Sequence, residues 1–268
     1  MENNQPTPKV SIITPSYNQG RFLEATILSV LEQDYPNFEY LIVDGGSNDE
    51  SVEIIKKYQD HLTWWVSEKD RGHADALNKG FSHASGEILA WLNSDDLYFS
   101  GAIRQAVAFL IDHPDVGMVY GDARLIDDAG KTIGKFASKQ TDYDHMLRGS
   151  VHIPQATTFF RANLWRQVGP LDLSLFFAFD YDLWVRLAKI SQIRYVPQLW
   201  ASFRIHSQGK TVVNDDRCYP DMLRVHDREV GGGLSQLRLR ALARKLLYTW
   251  MPMRLRLWLR KAVTVKFR

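Results

Sequence analysis

One feature of this chain constrains its fold more than any other: in the first half, short β-branched or aliphatic runs alternate with segments whose apolar residues recur at helical spacing. Val10 to Thr14 is a strand-like run closed by Pro15. Arg21 to Gln33 then places Phe22, Leu23, Ile27, Val30 and Leu31 on one helical face, and Pro36 bars continuation. Phe38 to Val43 reads as a second strand, after which Asp44-Gly45-Gly46-Ser47 turns the chain into a helix over Glu50 to Tyr58, capped by Asn48 or Asp49. Leu62 to Val66 is a third strand, and the stripe Ala74, Leu77, Phe81, Ala84 makes Gly72 to Ala84 an amphipathic helix. Ile88 to Leu92 is an unbroken apolar run, as a strand buried on both faces requires. A helix over Ile103 to Ile111, a strand over Val116 to Tyr120 and a hairpin over Arg124 to Phe136, turning at Asp128-Ala129-Gly130, follow. Such alternation predicts an α/β fold with a mostly parallel central sheet covered by helices on both faces.

The second half is more mixed. Thr157 to Phe160 reads as a strand, Ala162 to Val168 as a helix stopped by Gly169-Pro170, and Asp180 to Ile190 as a helix with the stripe Leu183, Trp184, Leu187, Ala188. Ile193 to Val196 and Leu199 to Ile205 are extended, and the pattern weakens between Gln208 and Pro220. The expected organisation is a polar arm over 1–9, one domain over 10–212 with halves 10–122 and 123–212, a linker over 213–233 ending in the hinge Gly231-Gly232-Gly233, and a helical tail over 234–268.

At 268 residues and 45% hydrophobic, the chain has enough apolar material for a full core. The single cysteine, Cys218, excludes an internal disulfide, and no Cys/His cluster offers a zinc site, which fits a reducing cytosolic setting. Met1 to Lys9 is polar and reads as neither signal peptide nor span, and no apolar run is long enough for a transmembrane helix. From Leu234 onward there are ten basic residues and no acidic one, so the preceding chain carries a net charge of −8. In that tail Leu239, Leu242, Leu246 and Leu247 share a face flanked by Arg238, Arg244 and Lys245. Beyond Pro252 the residues Leu255, Trp258 and Leu259 continue, with Trp250, the same arrangement. Basic amphipathic helices of this kind lie in the interface of anionic bilayers. The expected location is therefore cytoplasmic and peripheral, on the inner face of the cytoplasmic membrane. Packing of the tail on the domain or on a second subunit is the alternative, so an oligomer stays open, and the acidic body argues against a nucleic-acid partner.

Ligands of open α/β sheets bind beyond the carboxyl ends of the strands. Here those ends carry Thr14-Pro15-Ser16-Tyr17-Asn18, Asp44, the Asp70 to Asn78 segment and Asn93-Ser94-Asp95-Asp96. Neither GxxxxGK[ST] nor GxGxxG occurs, so a phosphate-bearing ligand would find carboxylates and amides instead of a glycine-rich cradle. That combination calls for a divalent cation, Mg²⁺ or Mn²⁺, between carboxylate and diphosphate.

Val10 to Asn18, Leu41-Ile42-Val43-Asp44-Gly45-Gly46-Ser47, Asp70-Arg71-Gly72 with Asp75 to Gly80, and Trp91 to Asp96 resemble, in order, the donor half of family 2 glycosyltransferases. Ile153-Pro154-Gln155, Asp180 to Trp184 and Arg204-Ile205-His206-Ser207 resemble its acceptor-side motifs. The resemblance implies a GT-A fold and an inverting transfer from a nucleoside diphosphate sugar, UDP foremost, to a hydroxyl of a glycan or lipid-linked glycan, in cell-envelope polysaccharide synthesis. It implies donor contacts from Thr14, Pro15, Ser16, Tyr17, Asn18, Asp44, Asp75, Asn78, Asn93 and Ser94, with Asp44 on the base. It implies Asp95 and His206 as ligands of Mn²⁺ or Mg²⁺, Asp180 as general base, and Gln155 and Trp184 on the acceptor side. Lys210 and Thr211 lie within reach of the departing diphosphate. Asn93 departs from the family's D-x-D, where an acid stands first. Asp96 reads either as a further ligand or as a cap for the following helix, and Asp180 equally as an N-cap. A catalytically idle nucleotide-sugar-binding or scaffold protein is the rival class, followed by a nucleotidyltransferase and a donor hydrolase.

Overall fold

Val10, Ile12 and Ile13 are wholly buried because their strand lies inside a sheet covered on both faces. The computed structural model describes residues 7–149, 151–210 and 218–250. Its strands are β1 (Val10–Ser16), β2 (Phe38–Asp44), β3 (Trp64–Ser67), β4 (Ile88–Trp91), β5 (Leu97–Tyr98), β6 (Val116–Ile126), β7 (Thr132–Lys135), β8 (Thr158–Arg161) and β9 (Gln192–Arg204). They form one sheet in the order β3-β2-β1-β4-β8-β6-β9-β5, with β7 paired to β6. β1 runs parallel to both β2 and β4, and β2 parallel to β3. β8 enters antiparallel between β4 and β6, and β6 and β9 are parallel again. The expected α/β architecture is therefore present, with the parallel pairing concentrated in the first half.

Seven helices flank the strands through residue 190: α1 (Gly20–Leu31), α2 (Ser51–Tyr58), α3 (His73–His83), α4 (Ala102–Asp112), α5 (Tyr143–Leu147), α6 (Ala162–Val168) and α7 (Phe179–Ile190). Successive strand residues point to opposite faces, so each central strand feeds two cores. Ile13, Leu89 and Trp91 join α3 and α7 on one side, while Ile12, Ala90 and Leu92 join α1 and α4 on the other. Gly80 explains how closely α3 lies on β1: a Cβ there would come within 2.5 Å of Ile13 Cγ2. Gly72, at φ +111°, supplies the sharp entry into α3 that an L side chain rarely adopts.

Two expected strand pairs are single long strands. Val116 to Tyr120 continues through the first arm of the hairpin as β6, and β9 runs past Pro197 as one strand. Its pairing with β6 shifts between Tyr120 and Asp122, so Pro197, which has no N–H to donate, sits where the ladder is interrupted.

The expected linker over 213–233 contains α8 (Cys218–Val230), and Met222 and Val225 of that helix are buried in the core beside α7. The sequence pattern is sparse there, with few apolar residues to mark a stripe. The tail forms α9 (Gln236–Trp250), where Leu237 is fully buried and rests against Gly149. Most of the polar arm (1–6), Thr211 and the tail segment holding Pro252, Leu255, Trp258 and Leu259 lie outside the described residues. Among the described residues no helix is long and apolar enough to cross a membrane.

Candidate active site

The loop after β4 is held by Asp96, which is buried and accepts a hydrogen bond from the Arg204 backbone N–H at 2.9 Å, tying the end of β4 to the end of β9. Burial, reinforced by the charge of Asp95, pushes the Asp96 carboxyl well above its usual range. The helix that follows, α4, has Gly101 at its cap, so Asp96 is neither its N-cap nor exposed. It fixes the loop from which Asp95 projects.

Asp95 Oδ2 lies 2.9 Å from Nε2 of His206. On the other side of the ring, Arg21 Nη2 stands 2.9 Å from His206 Nδ1. A guanidinium only donates, so Nδ1 accepts and the ring proton sits on Nε2, pointing at Asp95. Asp95 and His206 would offer a divalent cation a carboxylate oxygen and an imidazole nitrogen, a donor pair that suits Mn²⁺ and is acceptable to Mg²⁺. Among the described residues no three His, Cys, Asp or Glu converge on one point, so such a cation would take its remaining ligands from phosphate oxygens and water. Arg21 was not singled out by sequence. It follows the first residue of α1, where its position alone gives no signal.

The structure places the other expected donor residues unevenly. Tyr17 is exposed at 62% and its ring lies near Gly45, where a Cβ would come 3.3 Å from it and 2.6 Å from Asp70 Oδ2. Asn18, at φ 52°, accepts from the Asn48 backbone and receives Ser47 Oγ on its own N–H, lacing the loops after β1 and β2 together. Pro15, Ser16 and Ser94 are buried at the strand ends. Asp75 is buried in the first turn of α3 and accepts from the Arg71 backbone and guanidinium.

Four of the expected site residues are engaged by the fold itself. Thr14 is fully buried and its hydroxyl pairs with Tyr40 Oη at 2.9 Å, so its side chain points into the sheet's packing and away from any ligand. Asp44 is fully buried, and its carboxylate accepts from Gly46 N, Ser47 N, Ser47 Oγ and Ser67 Oγ, three of them on Oδ2, which makes it the organiser of the loop. Asn78 spends its amide on both backbone groups of Leu171, at 2.9 and 2.8 Å, and so anchors the loop before α7 instead of facing a diphosphate. Trp184 is 1% exposed and stacks on Trp91 at 5.1 Å; it supports the site from beneath and reaches no acceptor.

Asn93 donates from Nδ2 to Gln155 Oε1 at 2.9 Å and to Asp96 Oδ2 at 3.2 Å, and Gln155 is itself fixed by donating to the Trp91 carbonyl. The expected acceptor-side Gln155 therefore meets the departure from D-x-D directly. Asp180 lies in the first turn of α7, whose cap position is Ala178, so it is not the N-cap. Burial raises its carboxyl above the ordinary range, opposed by the Tyr181 N–H and the charge of Lys210. Lys210 stands 4.6 Å over the rings of both Phe176 and Phe179. Burial lowers its ammonium to about 8, against the pull of Asp180 and Asp221.

Two further residues at this end carried no sequence signal of their own. His73 packs on Phe179 at 5.0 Å. Asp221 of α8 accepts the backbone N–H groups of Phe177 and Ala178 at 2.6 and 3.3 Å, capping α7 from another helix. No local pattern predicts a cap delivered across 43 residues.

Carboxylate, imidazole and amide groups at the strand ends of a mixed α/β sheet, with a raised carboxyl beyond them, define a metal-compatible transferase-type site. The model of the family described as glycosyl transferase family 2 matches residues 11–165. An uncharacterized glycosyltransferase of Rickettsia typhi is 30% identical over 221 residues, spanning 79% of this chain and 68% of the relative. An Escherichia coli protein named UDP-Glc:alpha-D-GlcNAc-diphosphoundecaprenol beta-1,3-glucosyltransferase is 29% identical over 185 residues, 69% of this chain and 71% of that one. Among solved structures, Staphylococcus aureus TarS 1–349 in complex with UDP aligns with a TM-score of 0.69 at 17% identity, covering 92% of this chain and 76% of that one. A mannosyltransferase from Pyrobaculum calidifontis in complex with GDP-Man and Mn²⁺ aligns at 0.66 and 19%, covering 98% and 81%. At such identities the two structures share the fold, GT-A, with this chain. The chain belongs to glycosyltransferase family 2 and is a glycosyltransferase.

Proposed function

We propose that this enzyme transfers a hexose from a UDP-sugar to a hydroxyl of a lipid-linked glycan with inversion, assisted by Mn²⁺ or Mg²⁺. The observation that carries the reading is the Asp95–His206 pair, 2.9 Å apart, with the half-buried Asp180 in the first turn of α7. Asp95 and His206 would hold the cation, which would absorb the charge developing on the diphosphate as the bond from the sugar's anomeric carbon to the phosphate oxygen breaks. Asp180 takes the proton of the acceptor hydroxyl while that oxygen forms the new bond at the opposite face, and UDP departs. A base needs an affinity for protons near the working pH, and burial moves Asp180 in that direction. Tyr17 offers an exposed ring face to the base, Asp75 stands at the ribose side, and Lys210 lies where it can meet the leaving diphosphate. The nucleotide is taken as UDP because the Escherichia coli relative is named for a UDP-sugar donor.

The same relative is named for a diphosphoundecaprenol-linked acceptor, which supports a membrane-bound substrate here. The tail supports it independently. On α9, Leu239 and Leu242 are 51% and 54% exposed on a side turned away from the buried Leu237, and Leu234 ahead of them is 87% exposed. With ten basic and no acidic residues from Leu234 on, that surface fits an anionic bilayer better than a protein partner.

The test is UDP release from UDP-sugars in the presence of an acceptor, with wild type, with Asp180→Asn and with excess EDTA. Wild type is expected to turn over, EDTA to abolish transfer, and Asp180→Asn to bind UDP normally while losing transfer. Full activity in EDTA, or in the Asn variant, would refute the cation or the base respectively. UDP binding without any turnover by wild type would instead favour an idle binding protein.

A further inference from the structure

Three element ends meet at one place: the end of β4 with Asn93, the start of α3 with His73, and the start of α7 with Phe179. Among the described residues, Nε2 of His73 and Oδ1 of Asn93 are both buried and neither completes a hydrogen bond of good geometry, although the two side chains approach closely enough for a weak hydrogen bond between them. Each such atom costs about 1–3 kcal/mol when left unsatisfied, and native proteins keep few of them without a reason.

The direction of Asn93 Oδ1 is not accidental. Its amide nitrogen is committed twice, to Gln155 and to Asp96, and Gln155 is in turn fixed on the Trp91 carbonyl. The amide cannot flip without losing both bonds, so its oxygen is held toward His73. His73 is held by its place at the first turn of α3 and by the Phe179 ring. Burial, and next the charge of Lys210, keep its imidazole neutral down to about 3. A neutral imidazole offers one donor and one acceptor, and the amide oxygen offers an acceptor. That set suits an uncharged hydroxyl, which both gives and takes a hydrogen bond, and it serves a phosphate oxygen poorly. Two residues along the same loop, Asp95 turns instead to His206. The group one step beyond a diphosphate held at Asp95 is the sugar that the diphosphate carries.

We infer that His73 and Asn93 together bind a hydroxyl of the transferred sugar and thereby set which sugar the enzyme accepts. The inference rests on the proposed reading of the site as a UDP-sugar site. It also gives the amide at the first position of the D-x-D pattern a task that an acid would do less well, since Asn93 both donates to Gln155 and presents a fixed acceptor.

The test uses the full chain, with isothermal titration in Mn²⁺ of UDP, UDP-glucose, UDP-galactose and UDP-N-acetylglucosamine. Wild type, His73→Ala and the more conservative His73→Gln are compared, with thermal unfolding to confirm that each variant is folded. Wild type is expected to prefer one sugar. His73→Ala is expected to bind UDP within twofold of wild type, to lose tenfold or more in affinity for the preferred UDP-sugar, and to lose the preference; His73→Gln, which keeps an amide donor and acceptor, recovers part of it. An unchanged preference in His73→Ala, or in His73→Gln should the alanine variant not fold, overturns the inference. Wild type that binds UDP but does not discriminate among the sugars overturns it alone, whereas wild type that binds no UDP overturns the donor reading with it.

Discussion

Replacing Asp221 by alanine removes a cap that α7 does not possess in its own sequence. The residue at the cap position is Ala178, and among the described residues the N–H groups of Phe177 and Ala178 are satisfied by Asp221 Oδ2, at 2.6 and 3.3 Å. Asp221 is buried, so water does not readily take its place. Its charge also stands at the positive end of the helix, which adds roughly 0.3–1 kcal/mol. Leaving the two amides without a charged acceptor costs about 1–3 kcal/mol, and together the loss is about 1–4 kcal/mol. The 4.0 Å contact with the exposed Arg224 adds little to this. For a chain of this size each kcal/mol shifts the melting temperature by about 2–4 °C, so Asp221→Ala is expected to melt about 2–16 °C lower. Asp221→Asn keeps an accepting oxygen and loses only the charge, and so falls between. Because Asp180 lies in the turn that Asp221 secures, kcat is expected to fall in Asp221→Ala while affinity for UDP is kept, since the strand ends and α1 do not depend on α8. Scanning calorimetry with UDP titration checks both. A melting temperature within 1 °C of wild type would refute the capping argument, and a parallel loss of UDP affinity would show that α8 supports the whole sheet edge and not α7 alone.

Acid stability is expected to depend on Glu39, a buried carboxylate on β2. Burial raises it, but the 2.6 Å ion pair with Lys9 and hydrogen bonds from Ser11 and Ser85 outweigh that and hold it at about 2, below its ordinary 4.5. A depressed folded-state value means stability fully present above pH 4.5 and lost as pH falls from there through 2, by about 2 kcal/mol after a discount for the 37% exposure of Lys9. Glu39→Gln should flatten that part of the curve measured by urea unfolding between pH 5 and 2.5; an unchanged slope would assign the acid dependence elsewhere. For the tail, co-sedimentation with phosphatidylglycerol-containing vesicles should pellet the full chain and leave a chain ending at Gly231 in solution, while equal behaviour of the two would make α9 ordinary packing.

Local periodicity was enough to read the donor half. The strands β1, β2 and β4 and the helices α1 and α3 follow from β-branched runs and apolar stripes, because each buries residues on faces that a single segment's own pattern records. The same pattern put Asp95 at a strand end, and the family motif put His206 beside it; the structure brings the two within 2.9 Å. What the sequence could not decide was which polar side chains face a ligand and which are spent on the fold. Asp44 and Asn78 sit in motif positions, yet Asp44 accepts from Gly46, Ser47 and Ser67 and Asn78 is bound to both backbone groups of Leu171, 93 residues away. Trp184 lies on a helix stripe that could face an acceptor or a core, and only the stacking on Trp91 settles it. α8 was missed because its two core residues are too few to mark a face, although its Asp221 caps the helix carrying Asp180. The convergence of His73, Asn93 and Phe179 comes from three separate element ends and leaves no trace in any one of them. Sequence records what a segment needs from its own neighbours in the chain; burial and hydrogen-bond satisfaction between distant segments exist only once the sheet has closed.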